Sequence, residues 1–215
     1  MATSRRSAGK QASPKPAQRP AVVPREEVGK RLRAIRKARK RTLQMLSAES
    51  GIAVSTISKM ELGQIAVSYE KFGAIARALQ VDPSRLFDAA ATDPSEPHPT
   101  VVKSYVSSEY ISENYRYRML AGDYPGKKMT PMLGLVVSRE RQQFTDYVRH
   151  PGEEFVMVLS GSVKIEFETG EAIELKRNES AYFNSGVGHI YLSVGRGDAQ
   201  IIVVCTDLAS EKRTP

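Results

Sequence analysis

The sequence predicts a two-part α plus β chain: a bundle of five short helices followed by an antiparallel β-sandwich or jelly-roll barrel. Apolar residues recur at helical spacing over residues 26–87 and alternate at strand spacing from about residue 101. Between the two lies "AAATDPSEPHPT", residues 89–100, where prolines and acidic residues replace the periodic apolar positions, as in a linker. Charge divides along the same line. Residues 1–88 hold 18 Lys and Arg against 7 Asp and Glu, a net of +11, whereas residues 89–215 hold 14 against 17, a net of −3. A basic front half points to a polyanionic partner, although a merely soluble basic surface gives the same count.

Residues 1–24, rich in Pro, Ala, Ser and Gln, read as a disordered basic arm; with no hydrophobic centre they are not expected to act as a secretory signal. No apolar run approaches the roughly 18 residues of a membrane span. The single cysteine, Cys205, cannot form an internal disulfide, which fits a cytoplasmic chain. Within "AQIIVVCTD" it reads as a buried strand cysteine, not a reactive thiol.

The helical unit is expected over residues 25–88. A first helix from about Glu26 to Lys40 places Val28, Leu32 and Ile35 on one stripe. Thr42 is the expected N-cap of a second helix, "LQMLSAES", which ends at Gly51. A third, "VSTISKMEL", turns Ile57 and Met60 inward and Ser55, Ser58 and Lys59 outward, and Gly63 closes it. Ser68 is expected to cap a fourth helix with the stripe Phe72, Ile75, Ala76 and Leu79, and Asp82-Pro83 to open a short fifth ending near Phe87. Two helices joined by a tight glycine-containing turn, the second small and polar outside, suit insertion into a DNA major groove about 12 Å wide. A five-helix bundle that binds protein instead is the plainer alternative.

"TLQMLSAESGIAVSTISKMELGQ" resembles the helix-turn-helix of the Cro/phage-repressor (XRE) class, over roughly residues 26–88, and the ending "SKMELG" is a fairly specific part of the likeness. The resemblance implies that Val54, Ser55, Ser58 and Lys59 face base edges and that Thr42 and Leu43 approach phosphate. Two positions depart from the pattern. Ala53 stands where the class usually has a capping Ser or Thr, and Val54, in place of a polar side chain, suits a thymine methyl. Leu43 can offer phosphate only its backbone N–H. A unit this small covers half a site, so a homodimer on a pseudo-palindromic double-stranded DNA operator is expected, paired through the second domain.

In the back half, expected over residues 101–209 with a tail at 210–215, short strand-like runs succeed one another. In "SVKIEFET", Val163, Ile165 and Phe167 alternate with Lys164, Glu166 and Glu168. Many such runs with turns every ten or so residues predict a sandwich or jelly roll. "HPGEEFVMVLSGSVKIEFETGEAIELKRNESAYFNSGVGHIYLSV" is similar to the two motifs of the cupin double-stranded β-helix barrel, over roughly residues 128–207. Asn178, Asn184 and Ser193 stand where that family tends to have Gly, Pro and Asn, and Asn tolerates the left-handed backbone glycine would adopt.

The resemblance implies a site. Cupin enzymes hold a divalent metal with two histidines and a glutamate from the first motif and a histidine from the second; here these map to Val148, His150, Glu154 and His189, so one ligand is missing. Strand parity puts residues 148, 150 and 154 on one face and 153 on the other. The remaining two histidines and carboxylate could hold Fe(II), Mn(II) or Zn(II), grip an anion or amine without metal, or merely pair at the barrel mouth. Tyr147, Tyr182 and Tyr191 are expected around them. The whole chain then reads as a cytoplasmic DNA-binding transcriptional regulator, not an enzyme, whose barrel senses a small-molecule effector. The rival readings are a metal-dependent cupin enzyme and a barrel used only for dimerisation.

Overall fold

The computed structural model describes residues 22–87, 109–122, 124 and 127–206. The linker expected over 89–100, the tail over 210–215 and all but the last three residues of the expected arm lie outside them. Five helices come first: α1 (Arg25–Ala38), α2 (Leu43–Ser50), α3 (Val54–Glu61), α4 (Tyr69–Leu79) and α5 (Ser84–Phe87). Their buried faces form one core, which includes Val28, Leu32, Ile57, Met60, Phe72, Ile75, Ala76 and Leu79. These are the residues whose spacing predicted the helices.

The helix ends follow local chemistry. Thr42 Oγ1 accepts from Met45 N–H at 3.1 Å, and Gly51 closes α2 in the left-handed conformation. Asp82 Oδ1 accepts from Ser84 N–H at the start of α5. Ser68 differs from expectation: it occupies the N-cap position of α4, yet its side chain makes no capping bond. Its Oγ is buried with no hydrogen-bond partner among the described residues. The contacts of the next residue, Tyr69, lie outside the helical core, as described below.

The structure supplies the physical reason for the "SKMELG" ending. Glu61 is buried and pairs in a fork with Arg36 of α1, at 2.5 Å to Nε and 2.8 Å to Nη2. Gly63 takes φ 67° against the Glu26 backbone, a place no Cβ can fill. The same crossing explains Gly29: a Cβ there would lie 2.5 Å from the Met60 carbonyl oxygen. Gly29→Ala is therefore expected to push α1 off α3 and to lower the unfolding free energy by about 2 kcal/mol, read by chemical denaturation. A stability equal to that of the unsubstituted chain would contradict this packing.

Among the described residues nine strands follow: β1 (Glu109–Ile111), β2 (Tyr115–Met119), β3 (Met129–Val136), β4 (Glu153–Ser160), β5 (Ser162–Phe167), β6 (Ala172–Lys176), β7 (Ser180–Asn184), β8 (His189–Val194) and β9 (Ala199–Thr206). They form a six-stranded sheet in the order β1-β2-β3-β9-β4-β7 and a three-stranded sheet in the order β6-β5-β8, with every pairing antiparallel. Val163, Ile165 and Phe167 point into the core between them. Asn178 adopts φ 69°, the left-handed backbone expected of it.

β1 joins the two halves. Val22 bridges Glu109, and Val23 N–H donates to the Glu109 carbonyl at 2.9 Å. Tyr110 turns its ring into the helical core, edge-on to Phe72 and Phe87 with both centroids at 5.1 Å, and its hydroxyl accepts from Val67 N–H. Ser84 Oγ also donates to the Gly122 carbonyl at 3.1 Å. The helical unit and the barrel thus share buried aromatic and polar contacts.

Candidate functional site

The outer face of α3 is as the sequence suggested. Ser55 and Lys59 are exposed, Val54 and Ser58 half-buried, while Ile57 and Met60 face inward. Exposed Thr42 is committed to its cap, and Leu43 packs its side chain on the helical core, so both would meet a phosphate mainly through the amides at the start of α2. Ala53, as expected, makes no side-chain cap for α3.

In the barrel, three of the predicted side chains converge. His150, just ahead of β4, is fixed by its N–H donating to the Ser185 carbonyl; Glu154 lies on β4 and His189 opens β8. All three are buried. His150 Nε2 lies 2.8 Å and His189 Nε2 3.5 Å from Glu154 Oε2, and the Tyr191 hydroxyl donates to Glu154 Oε1. His189 Nδ1 is 2.9 Å from the Val187 carbonyl, which can only accept, so Nδ1 carries hydrogen and Nε2 faces the carboxylate. Glu153 points the other way and accepts from the Tyr182 hydroxyl. Parity read from the sequence therefore holds across Pro151-Gly152.

Electrostatics ties the cluster together. Burial pushes the Glu154 carboxyl up, but hydrogen bonds from His150 and His189, with their charge, outweigh it and hold it well below the usual carboxylate range. Burial lowers His189, yet the hydrogen bond and charge of Glu154 raise it above its ordinary value on balance. Burial also pushes the Tyr69, Tyr115, Tyr117 and Tyr191 hydroxyls up, so they remain neutral.

Two predicted residues lie elsewhere. Tyr182 is 63% exposed on β7, and Tyr147 sits outside the cavity beneath the Arg141 guanidinium, 4.4 Å from its ring centre. The unpredicted residues that line the cavity include Tyr69, Tyr115, Tyr117 and Cys205. Cys205 pairs opposite Glu154 across β9 and β4, with Sγ 3.5 Å from Glu154 Oε2 and 4.0 Å from His150 Nε2. It is buried, as the apolar run implied, but it faces the site and does not simply fill the core. Six rings make a closed circuit around the space. Centroid separations run Tyr69–Tyr117 6.4 Å, Tyr117–Tyr115 5.6 Å, Tyr115–Tyr191 6.3 Å, Tyr191–His189 6.0 Å, His189–His150 5.6 Å and His150–Tyr69 5.5 Å. The circuit bounds a cavity of about 40 Å³ that opens in part to solvent, with room for a small occupant.

Residues 32–86 match the family described as helix-turn-helix, and residues 137–205 match the family described as cupin domain. The chain carries an N-terminal helix-turn-helix domain, the mark of a DNA-binding transcriptional regulator, and a C-terminal cupin domain. Among solved structures it is similar to an HTH_3 family transcriptional regulator from Vibrio cholerae, at 18% identity and a TM-score of 0.57, covering 85% of this chain and 96% of that one. It is also similar to hydroxypropylphosphonic acid epoxidase from S. wedmorenis, at 20% identity and a TM-score of 0.46, covering 84% and 97%. The FeII form of HppE gives 19% identity, a TM-score of 0.46 and coverage of 85% and 100%. No curated protein matches the chain. Among the described residues no helix is long and apolar enough to cross a membrane.

The regulator's barrel corrects one expectation, that the chain is not an enzyme. His150, Glu154 and Cys205 bring a nitrogen, an oxygen and a sulfur donor within 4.8 Å of one another, and His189 adds a second imidazole beside the same carboxylate. Bond lengths of 2.0–2.3 Å to a tetrahedral ion imply donor separations of about 3.3–3.8 Å. The 3.5 Å Cys205–Glu154 separation falls in that range, the 4.0 Å Cys205–His150 separation lies just above it, and the 2.8 Å His150–Glu154 pair would have to open. The donor set fits a divalent metal, and metal chemistry is open to this domain.

Proposed function

We propose that the regulator binds a pseudo-palindromic operator as a homodimer in the cytoplasm and that its cupin pocket takes a small effector at His150, Glu154 and His189. Ser55, Ser58 and Lys59 of α3 read base edges, Val54 meets a thymine methyl, and Thr42 and Leu43 present backbone amides to phosphate. The observation that carries the reading is a solvent-facing polar helix in the same chain as a ring-lined cavity with an ionised carboxylate at its base. A divalent metal fits the pocket as the inner part of this site, held by His150, Glu154, His189 and the Cys205 sulfur. When bound it would supply a Lewis-acidic point for an oxygen or nitrogen atom of the effector. Tyr191 then holds Glu154 in orientation, and the Val187 carbonyl holds His189.

Operator selection with the full chain tests the first half. Lys59→Ala is expected to weaken binding to the selected duplex about tenfold or more and to flatten its sequence preference, with unchanged thermal stability. Unchanged affinity would displace the reading face from α3. Metal analysis of the purified protein, before and after Glu154→Gln, tests the second half. Zinc, iron or manganese present in the unsubstituted chain and lost from the variant supports the pocket assignment, and equal metal in both refutes it.

The convergence of two imidazoles, a carboxylate and a thiol also favours a second reading, metal-dependent catalysis in the barrel coupled to DNA binding. Turnover of a candidate substrate that disappears in Glu154→Gln would establish it.

A further inference from the structure

We propose that Tyr69 is the residue through which the contents of the cupin pocket act on the DNA-reading helices: an occupant that fills the cavity displaces its ring and tilts the helical unit. The proposal rests on the reading of the cavity as the effector site and adds the route by which that site reaches DNA.

Among the residues lining the cavity, Tyr69 is the one that belongs to the helical unit. Its ring stands edge-on to His150 and tilted against Tyr117, closing the six-ring circuit, and its hydroxyl reaches the side chains of Thr130 and Cys205. The other walls are strand residues locked by sheet hydrogen bonds, Val148 with its bridge to His189, and His150, whose backbone N–H donates to the Ser185 carbonyl. An occupant that fills the cavity presses on these walls, and the wall from outside the barrel yields first.

The seam around Tyr69 is poorly satisfied, which makes that movement inexpensive. Ser68 Oγ and Glu70 Oε2, on either side of it, are buried with no hydrogen-bond partner among the described residues. Rotating the start of α4 away gives both atoms water. Farther off, Tyr110 stays fastened in the helical core against Phe72 and Phe87. One contact therefore releases while another holds, and the helical unit pivots. α4 packs on α2, the helix that leads into α3, so the pivot changes where the two reading helices of a dimer lie.

The test fills the pocket from inside, so it needs no knowledge of the effector. Val203 pairs with Met132, one layer deeper than the Thr130–Cys205 pair that Tyr69 touches. In the full chain, Val203→Phe is expected to quicken amide hydrogen exchange over residues 69–75 and to shift operator affinity about fivefold or more. In a Tyr69→Ala background, where the added ring has room, the same substitution should do neither. Tyr69→Trp gives a second readout, because the chain has no tryptophan of its own. Its emission should shift to the red, and acrylamide should quench it more strongly, when Val203→Phe is added. Should Val203→Phe unfold the barrel, Tyr69→Ala alone decides: it should quicken the same amides, and unchanged exchange would overturn the proposal. Equal effects of Val203→Phe with and without Tyr69 would overturn it too. The exchange and fluorescence readouts require neither DNA nor effector, so their failure is distinct from failure of the sensor reading.

Discussion

Glu61→Ala is expected to lower the unfolding free energy of the helical unit by about 3–5 kcal/mol and to abolish operator binding at physiological temperature. The size follows from what the substitution leaves behind. Arg36 is 9% exposed and its Nη1 already donates to the Arg41 carbonyl at 2.9 Å. Without Glu61 its charge stays buried between α1 and α3 with most of its donors unmet, and a buried unpaired charge costs more than the pair itself contributes. Replacing both members with apolar residues, Arg36→Met with Glu61→Leu, should therefore recover most of the loss. Denaturation of the two variants followed by circular dichroism makes the comparison. A loss under about 1 kcal/mol for Glu61→Ala would mean that the fork contributes no more than a surface ion pair. The effect reaches function because Glu61 ends α3, two residues after Lys59, and the same fork sets the angle at which that helix leaves the bundle.

This fork shows how far the sequence could be read. "SKMELG" marked the end of the third helix, and apolar stripes with cap residues located the helices among the described residues, because these signals are local. What Glu61 pairs with was not legible: Arg36 lies 25 residues earlier among several other basic residues, and nothing in its spacing separates it from them. The barrel site divides similarly. His150, Glu154 and His189 were placed together by the resemblance to the cupin motifs, with strand parity supporting 150 and 154, whereas His189 reaches them from the other sheet. Cys205 reaches the same point from β9, and its apolar run concealed that its strand register sets it opposite Glu154. The rings were harder. Tyr147 and Tyr182 were expected near the pocket because they adjoin the motifs, but Tyr182 falls on the outward parity and Tyr147 on a loop. "YRYRM" did carry a signal, tyrosines alternating with arginines as in a half-buried strand, and Tyr115 and Tyr117 do line the cavity. For Tyr69 there was none, because its place depends on how two independently patterned units dock.

In protein stripped of metal by a chelator, Glu154→Gln is expected to lower the unfolding free energy by about 3 kcal/mol between the ordinary carboxylate and imidazole pKa values of 4.5 and 6.5, and by less on either side. The glutamine amide keeps the shape of the side chain and an oxygen for Tyr191, so the change removes chiefly the charge. Glu154 is held below 4.5 in the folded chain, so its ionisation stabilises the fold fully above that value. That contribution fades as pH falls through the lowered native value. His189 is held above 6.5, so its protonation stabilises the fold fully below that value and the contribution fades as pH rises through the raised native one. Both contributions need the carboxylate, and both vanish in the variant. The stability difference between the two proteins should therefore form a plateau over mildly acidic pH, with a falling limb at each end. A difference that stays constant from about pH 3 to about pH 9 would mean that the carboxylate and imidazole do not share charge in the fold. Metal should remove the alkaline limb of this profile, since an ion bound at His189 Nε2 excludes the proton there.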